Sequence, residues 1–246
     1  MDVFQGAMRI AREAYPGIDP ERYRSMLDAF AARIGGRASV GRVNEVFFGE
    51  LGFRGNADDY DDPRNCYLNE VLERRTGIPI TLGAAWCEVA RRAGLPARGI
   101  CFPGHFLVRS GPVVVDCFHG RVLDREGCQA LLDTVHGGEV LRLTDDMLAP
   151  SPDADILSRM LNNLRRIHAE RREFGRVVRW IELDMELRPG EPRNWRDRGM
   201  TWVQLERFGK AVLDLEEYAR RAPSASDLPA VREQLKLLGK LLSHLN

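Results

Sequence analysis

Slid along itself by 34 residues, the stretch from 151 to 246 meets its own pattern: Leu161 falls on Trp195, His168 on Trp202, Phe174 on Phe208, Gly175 on Gly209, Val177 on Ala211, Ile181 on Leu215 and Pro189 on Pro223. A fixed period of this size is a tight constraint, because each copy must be one supersecondary unit that buries its apolar face against the next. The apolar spacing is helical throughout, so each copy predicts a pair of helices. Gly199 and Ala211 are small enough to let the paired helices approach, and the aromatic residues fill the gap between them. Beyond the second copy, 228 to 245 predicts a capping helix with Leu235, Leu238, Leu241 and Leu242 apolar and Lys236 and Lys240 outward.

The second copy carries Trp195, Gly199, Ala211 and Pro223 in the order W-x-x-L-G-x-x-Y…A-x-x-x-F…P, with Trp202 in the tyrosine position, Leu215 in the phenylalanine position and Arg198 departing from the leucine. It resembles the tetratricopeptide repeat. Two units fall short of the roughly three an independent solenoid needs, so the pair is expected to dock on the preceding domain. The resemblance implies a protein or peptide partner, with Arg165, Arg172, Trp195 and Trp202 as candidate contacts. The arginines between Arg159 and Arg179, interrupted by Glu170 and Glu173, read as a solvated helix face or as a surface for an acidic partner.

Residues 1–150 follow a different plan. Helices are predicted from Phe4 to Ile34 with a break at Pro16 to Pro20, over 43 to 53, over 64 to 74, and from Pro79 to Gly94, the last with Leu82, Ala85, Trp86, Val89 and Ala93 as its buried stripe. Asp62 before Pro63 suits a helix cap, and the acidic run around it reads as solvated loop. The period then changes to that of strands at 97–102, 105–109 and 113–118, the last two joined as a hairpin across Ser110, Gly111 and Pro112. Helices followed by an antiparallel sheet indicate an α+β domain at 1–150, with an all-α tail at 151–246.

Charge removes some function classes. The 36 basic and 36 acidic residues cancel, 1–150 carries −3 and 151–246 carries +3, so neither part is a polycation suited to nucleic acid. No apolar run is long enough to span a bilayer and the N-terminus lacks a secretory core, so a cytoplasmic protein with no membrane partner is expected. The five cysteines form no C-x-x-C pair, which argues against a disulfide framework or a zinc knuckle.

Cys87, His105 and Asp116 occur in the order of a thiol, a base and an orienting carboxylate, the set that could carry acyl transfer through a thioester. The segments GIPITL, GLPARG, FPGHFLVR and MLNNL, with VVVDCFHGRVLDREGCQALL, resemble the SirB-type bacterial transglutaminase-like family that carries a tetratricopeptide tail. That resemblance implies a papain-like α+β core. It also implies that the family nucleophile belongs about 15 residues before Gly94, where this chain has Pro79, while His105 and Asp116 match the family's histidine and aspartate. Cys87 lies eight residues further along the helix, about 12 Å of axial rise, too far to replace a nucleophile that must reach its base.

The leading expectation is therefore a non-catalytic interaction or regulatory protein. One alternative is a thiol-dependent amide hydrolase or acyltransferase using Cys87, His105 and Asp116; another is a small-molecule-binding pseudoenzyme whose pocket contains Pro79, His105 and Asp116. No cofactor is implied. Asp116, Cys117 and His119 form a weak candidate cluster, but a metal site is not expected, because strand alternation sends Asp116 and Cys117 opposite ways and no second His or Cys pair has ligand spacing.

Overall fold

Asp2 starts the first helix: its carboxylate accepts the Gln5 N–H at 2.7 Å and the Gln5 side chain returns to the Asp2 N–H, closing a capping box over α1 (Val3–Ala14). Asp19 caps α2 (Pro20–Ala32) with proline at its first turn, so the helices break where the prolines fall. The computed structural model describes residues 1–137 and 141–245 and divides into two units, Met1–Met160 and Leu161–Asn246.

Within the first unit, the helix expected over 43 to 53 starts earlier and changes form. Ser39 caps α3 (Val40–Asn44), and Glu45–Glu50 then widens into a π-helical turn closed by Leu51 N–H to Val46 O. Phe47 stacks on Phe53 at 4.0 Å and fixes the return of the chain. The helix expected over 64 to 74 is also interrupted. Asp62 caps a 3-10 turn at Pro63–Cys66, Tyr67 is extended, and α4 (Leu68–Arg74) begins after it. On either side of these turns, β1 (Arg54–Gly55) and β2 (Thr76–Gly77) form a short parallel pair that the sequence reading did not contain.

The helix read from Pro79 is α5 (Pro79–Arg92), and it has no solvent face from Pro79 to Ala90. Instead of one apolar stripe it is buried all round, because α1, α2 and α4 contact it as well as the sheet. Its buried Glu88 is paired with Arg91 and Arg92, and the Trp86 indole N–H reaches Asn44 Oδ1 at 2.9 Å. Four antiparallel strands follow in the order β3 (Arg98–Ile100), β4 (Leu107–Ser110), β5 (Val113–Asp116) and β6 (Arg121–Leu123). Three were read from the sequence; β6 is the addition. Asp124 caps α6 (Arg125–His136), whose Cys128, Leu131 and Leu132 pack on Ile100, Phe102, Leu107 and Val114.

The helical tail comprises α7 (Asp153–Glu170), α8 (Phe174–Leu187), α9 (Arg193–Gln204), α10 (Phe208–Arg221) and α11 (Leu228–Leu245), the unit boundary falling inside α7. Its 34-residue period is written in the backbone. Arg172 and Glu206 both take the left-handed conformation at φ 58°, Glu173 N–H bonds His168 O as Arg207 N–H bonds Trp202 O, and Arg188 N–H bonds Asp184 O as Ala222 N–H bonds Tyr218 O. Between α9 and α10, a Cβ at Gly199 would lie 2.8 Å from Leu215 Cγ, so the small residue is required by packing. The fold is thus an α+β domain with an antiparallel sheet, followed by a tetratricopeptide-like helical tail.

Candidate functional site

Asp116 ends β5 with its side chain wholly buried, and the chain turns at once through 117–120. The turn aims two backbone donors back at the carboxylate: Phe118 N–H at 3.1 Å and His119 N–H at 3.3 Å, both to Oδ1. His105 Nε2 meets Oδ1 at 2.9 Å, while His119 Nδ1 at 2.6 Å and Arg121 Nε at 3.3 Å meet Oδ2. Burial alone would raise the Asp116 pKa, but the hydrogen bonds and charge of His105 and His119 outweigh it and hold the carboxyl well below its usual range. An ionised carboxylate only accepts, so both histidines donate to it.

His105, read as the first residue of a strand at 105–109, is instead delivered by a turn two residues before β4 begins at Leu107. Its N–H bonds Phe102 O at 3.1 Å, and Gly104 before it has φ +63° with Val135 so close that a Cβ would overlap it at 1.8 Å. His105 is buried, whereas the His119 side chain is 48% exposed and gives the cluster its access to solvent. The two imidazoles lie nearly parallel with centroids 6.0 Å apart, and Phe118 meets each ring edge-on.

The same phenylalanine ties the cluster to the start of the central helix. Gly55 packs so closely on the Phe118 ring and carbonyl that a Cβ would meet them at 2.6–2.7 Å, and Gly55 pairs with Gly77, two residues before Pro79. Pro79 occupies the first turn of α5, where Thr81 Oγ1 accepts the Ile78 N–H and donates to Asn65 O at 2.6 Å. Asn65 in turn donates to Asp59 O and Tyr60 O, so the acidic loop is latched from beneath.

Among the described residues, no cysteine belongs to the cluster. The His105, Asp116 and His119 ligand atoms lie within 4.8 Å of one another and no thiol joins them. Cys87 is buried beside Arg91, Arg98 and Phe106; burial pushes its thiol up to about 12, and Arg91 does not offset this. Cys117, next in the chain to Asp116, is likewise pushed well up by burial, and Cys101 is half-buried with its thiol also raised.

Sequence reasoning grouped His119 with Asp116 and Cys117 only to set that cluster aside, and it missed Arg121. Strand alternation does not continue past Asp116: the turn brings the residue three positions on back to the same carboxylate. The spacing D-x-x-H before a glycine was the available signal.

In the tail, the candidate partner residues separate. Arg165 is turned inward, bonding Asp184 Oδ2 at 2.9 Å and Asn194 Oδ1 at 3.1 Å with its side chain 12% exposed. Arg172 is exposed over the Phe174 ring. Trp195 and Trp202 are half-buried against the core of Ala211, Leu215 and Tyr218; Arg198 and Arg221 lie over Trp195, and Lys210 lies over Trp202. Much of the arginine run is paired locally: Arg166 with Glu170, Arg176 with Glu173, and Arg179 with Glu182.

A buried His–Asp pair beside a central helix and antiparallel sheet, followed by helical repeats, defines a transglutaminase-like domain with a tetratricopeptide-like tail. Residues 21–162 match the transglutaminase-like superfamily and residues 164–236 match a tetratricopeptide repeat. The chain belongs to the transglutaminase-like superfamily. It is 38% identical over 244 residues to a UPF0162 protein of Xylella fastidiosa, covering 93% of this chain and 87% of the relative. A UPF0162 protein of Pseudomonas aeruginosa is 31% identical over 251 residues, covering 97% and 90%. Protein SirB1 of Salmonella typhimurium is 26% identical over 198 residues, covering 78% and 73%.

Proposed function

We propose that this chain is a SirB-type, non-catalytic interaction or regulatory protein, in which a transglutaminase-like domain keeps the histidine and carboxylate of an acyl-transfer site without its nucleophile. The observation that carries the reading is the cluster itself: His105 and Asp116 are hydrogen-bonded at 2.9 Å, yet no thiol joins them. Pro79, at the first turn of α5, has no atom that can attack a carbonyl. Cys87, the alternative nucleophile, is held protonated by burial. The tetratricopeptide-like tail is the element through which a protein or peptide would be bound, with Arg172 the exposed candidate contact.

The test measures amide hydrolysis and acyl transfer by the full chain, with and without a thiol-alkylating reagent. No alkylation-sensitive turnover is expected, and native Cys87 should label far more slowly than after unfolding. Turnover lost in both Cys87→Ala and His105→Ala, in variants that stay folded, overturns the reading. A second reading, a pseudoenzyme pocket that holds a small molecule without reaction, is favoured by the solvent-open side of the cluster at His119. It requires a ligand-dependent melting shift that disappears in His105→Ala.

A further inference from the structure

We propose that His105, Asp116 and His119 form a binding site for a divalent transition-metal ion, with Zn(II) as the working case. Two imidazole nitrogens and one carboxylate oxygen converge within 4.8 Å. That donor set suits zinc and its neighbours, and is too nitrogen-rich for magnesium or calcium. Around an ion with bonds of about 2.0–2.2 Å, tetrahedral ligands stand roughly 3.4 Å apart. His119 Nδ1 stands 2.6 Å from Oδ2, a separation that needs to open by less than about 1 Å, while His105 Nε2 lies 2.9 Å from the other oxygen, Oδ1.

The surroundings favour the exchange. Asp116 Oδ1 is held by the Phe118 and His119 backbone N–H groups, the kind of support that fixes a ligating carboxylate and leaves Oδ2 toward the opening. Phe118, edge-on to both imidazoles, limits how far either ring can tilt. The ion would replace two N–H···O bridges. Each imidazole would coordinate through the ring nitrogen that faces Asp116, the proton on that nitrogen passing to the other ring nitrogen or to solvent. Arg121 competes for Oδ2 at 3.3 Å, but its side chain is 51% exposed on the short strand β6 and can swing into solvent. Three protein ligands leave at least one position open to water or a small anion.

Metal binding at this cluster is independent of whether the tail binds a partner. It is tested on the full chain, stripped with a chelator and titrated with Zn(II) by calorimetry and with Co(II) by its visible d–d absorption. One saturable equivalent per chain is expected, with zinc displacing cobalt. Affinity should fall at least about tenfold in His119→Ala, the variant least able to disturb folding because that side chain is half exposed, and in Asp116→Asn. Circular dichroism melts check that each variant is folded. Absence of saturable binding by the wild-type chain overturns the proposal. So does equal affinity in wild type and folded His119→Ala, which would assign the metal to other histidines.

Discussion

Asp116 accepts from five donors on two oxygens while its side chain is wholly buried, which makes it the residue whose charge the domain depends on most directly. Its pKa is depressed on folding, so the unfolded chain binds the proton more readily. The stabilisation is complete above about pH 5, beyond the ordinary carboxylate pKa near 4, and is lost as pH falls toward the folded value. Asp62, held low by Arg64 and Arg74 against its own burial, adds loss in the same direction. Asp116→Asn should cost about 2–4 kcal/mol at pH 7, since it leaves buried donors facing an amide. The gap between variant and wild type should narrow as pH drops below about 4, which thermal melts across pH 3–7 would reveal. A gap that stays constant over that range would mean that the carboxylate's charge contributes nothing to folding. Of this site, the sequence discloses His105 and Asp116 through a resemblance. It names His119 beside Asp116 but conceals that its ring returns to the carboxylate, because whether a strand stops or continues after Asp116 depends on a turn with no strong local signature.

Within the helical tail, the departure from the repeat pattern has a counterpart. Leu164 and Trp180 of the first repeat stand 34 residues before Arg198 and Asp214, and in the second repeat those two side chains meet as a two-bonded ion pair at 2.7 and 2.8 Å. Asp214 is 7% exposed on its side chain, so the arginine is what makes its burial tolerable. Arg198→Leu alone should therefore destabilise the chain by about 2–3 kcal/mol, and Arg198→Leu with Asp214→Trp should recover most of that loss by placing the first repeat's two buried apolar residues at the corresponding positions. Denaturant unfolding of both single variants and the double variant measures the coupling; simple additivity would mean that the two positions are not exchanged as a unit. The tail's helices were legible because one period is written twice in side chains of helical spacing. The fourth strand was not, since Arg121–Leu123 is three residues long and leaves Val122 53% exposed, too short for alternation to register. The π-helical turn at Glu45–Glu50 was hidden for a different reason: the aromatic stacking that returns the chain there joins residues on both sides of the turn.

Across the whole molecule, charge balance is a property of distribution more than of total. The net charge is zero, but residues 1–150 carry −3 and residues 151–246 carry +3, so neighbouring molecules present regions of opposite sign. At a sequence isoelectric point near 7.0 there is no net repulsion to oppose that attraction. Solubility should therefore pass through a minimum near pH 7 and rise toward pH 5.5 and pH 8.5, where the molecules share one net sign and repulsion grows between them. At the minimum, raising ionic strength from about 0.01 M to 0.15 M shortens the screening length from about 30 Å to 8 Å and should increase solubility. A chain kept apart by uniform net charge would respond in the opposite sense, because salt would remove its repulsion. Precipitation with polyethylene glycol over that pH and salt grid distinguishes the two cases: a solubility that falls with added salt at pH 7 would show that the opposed charges do not govern association.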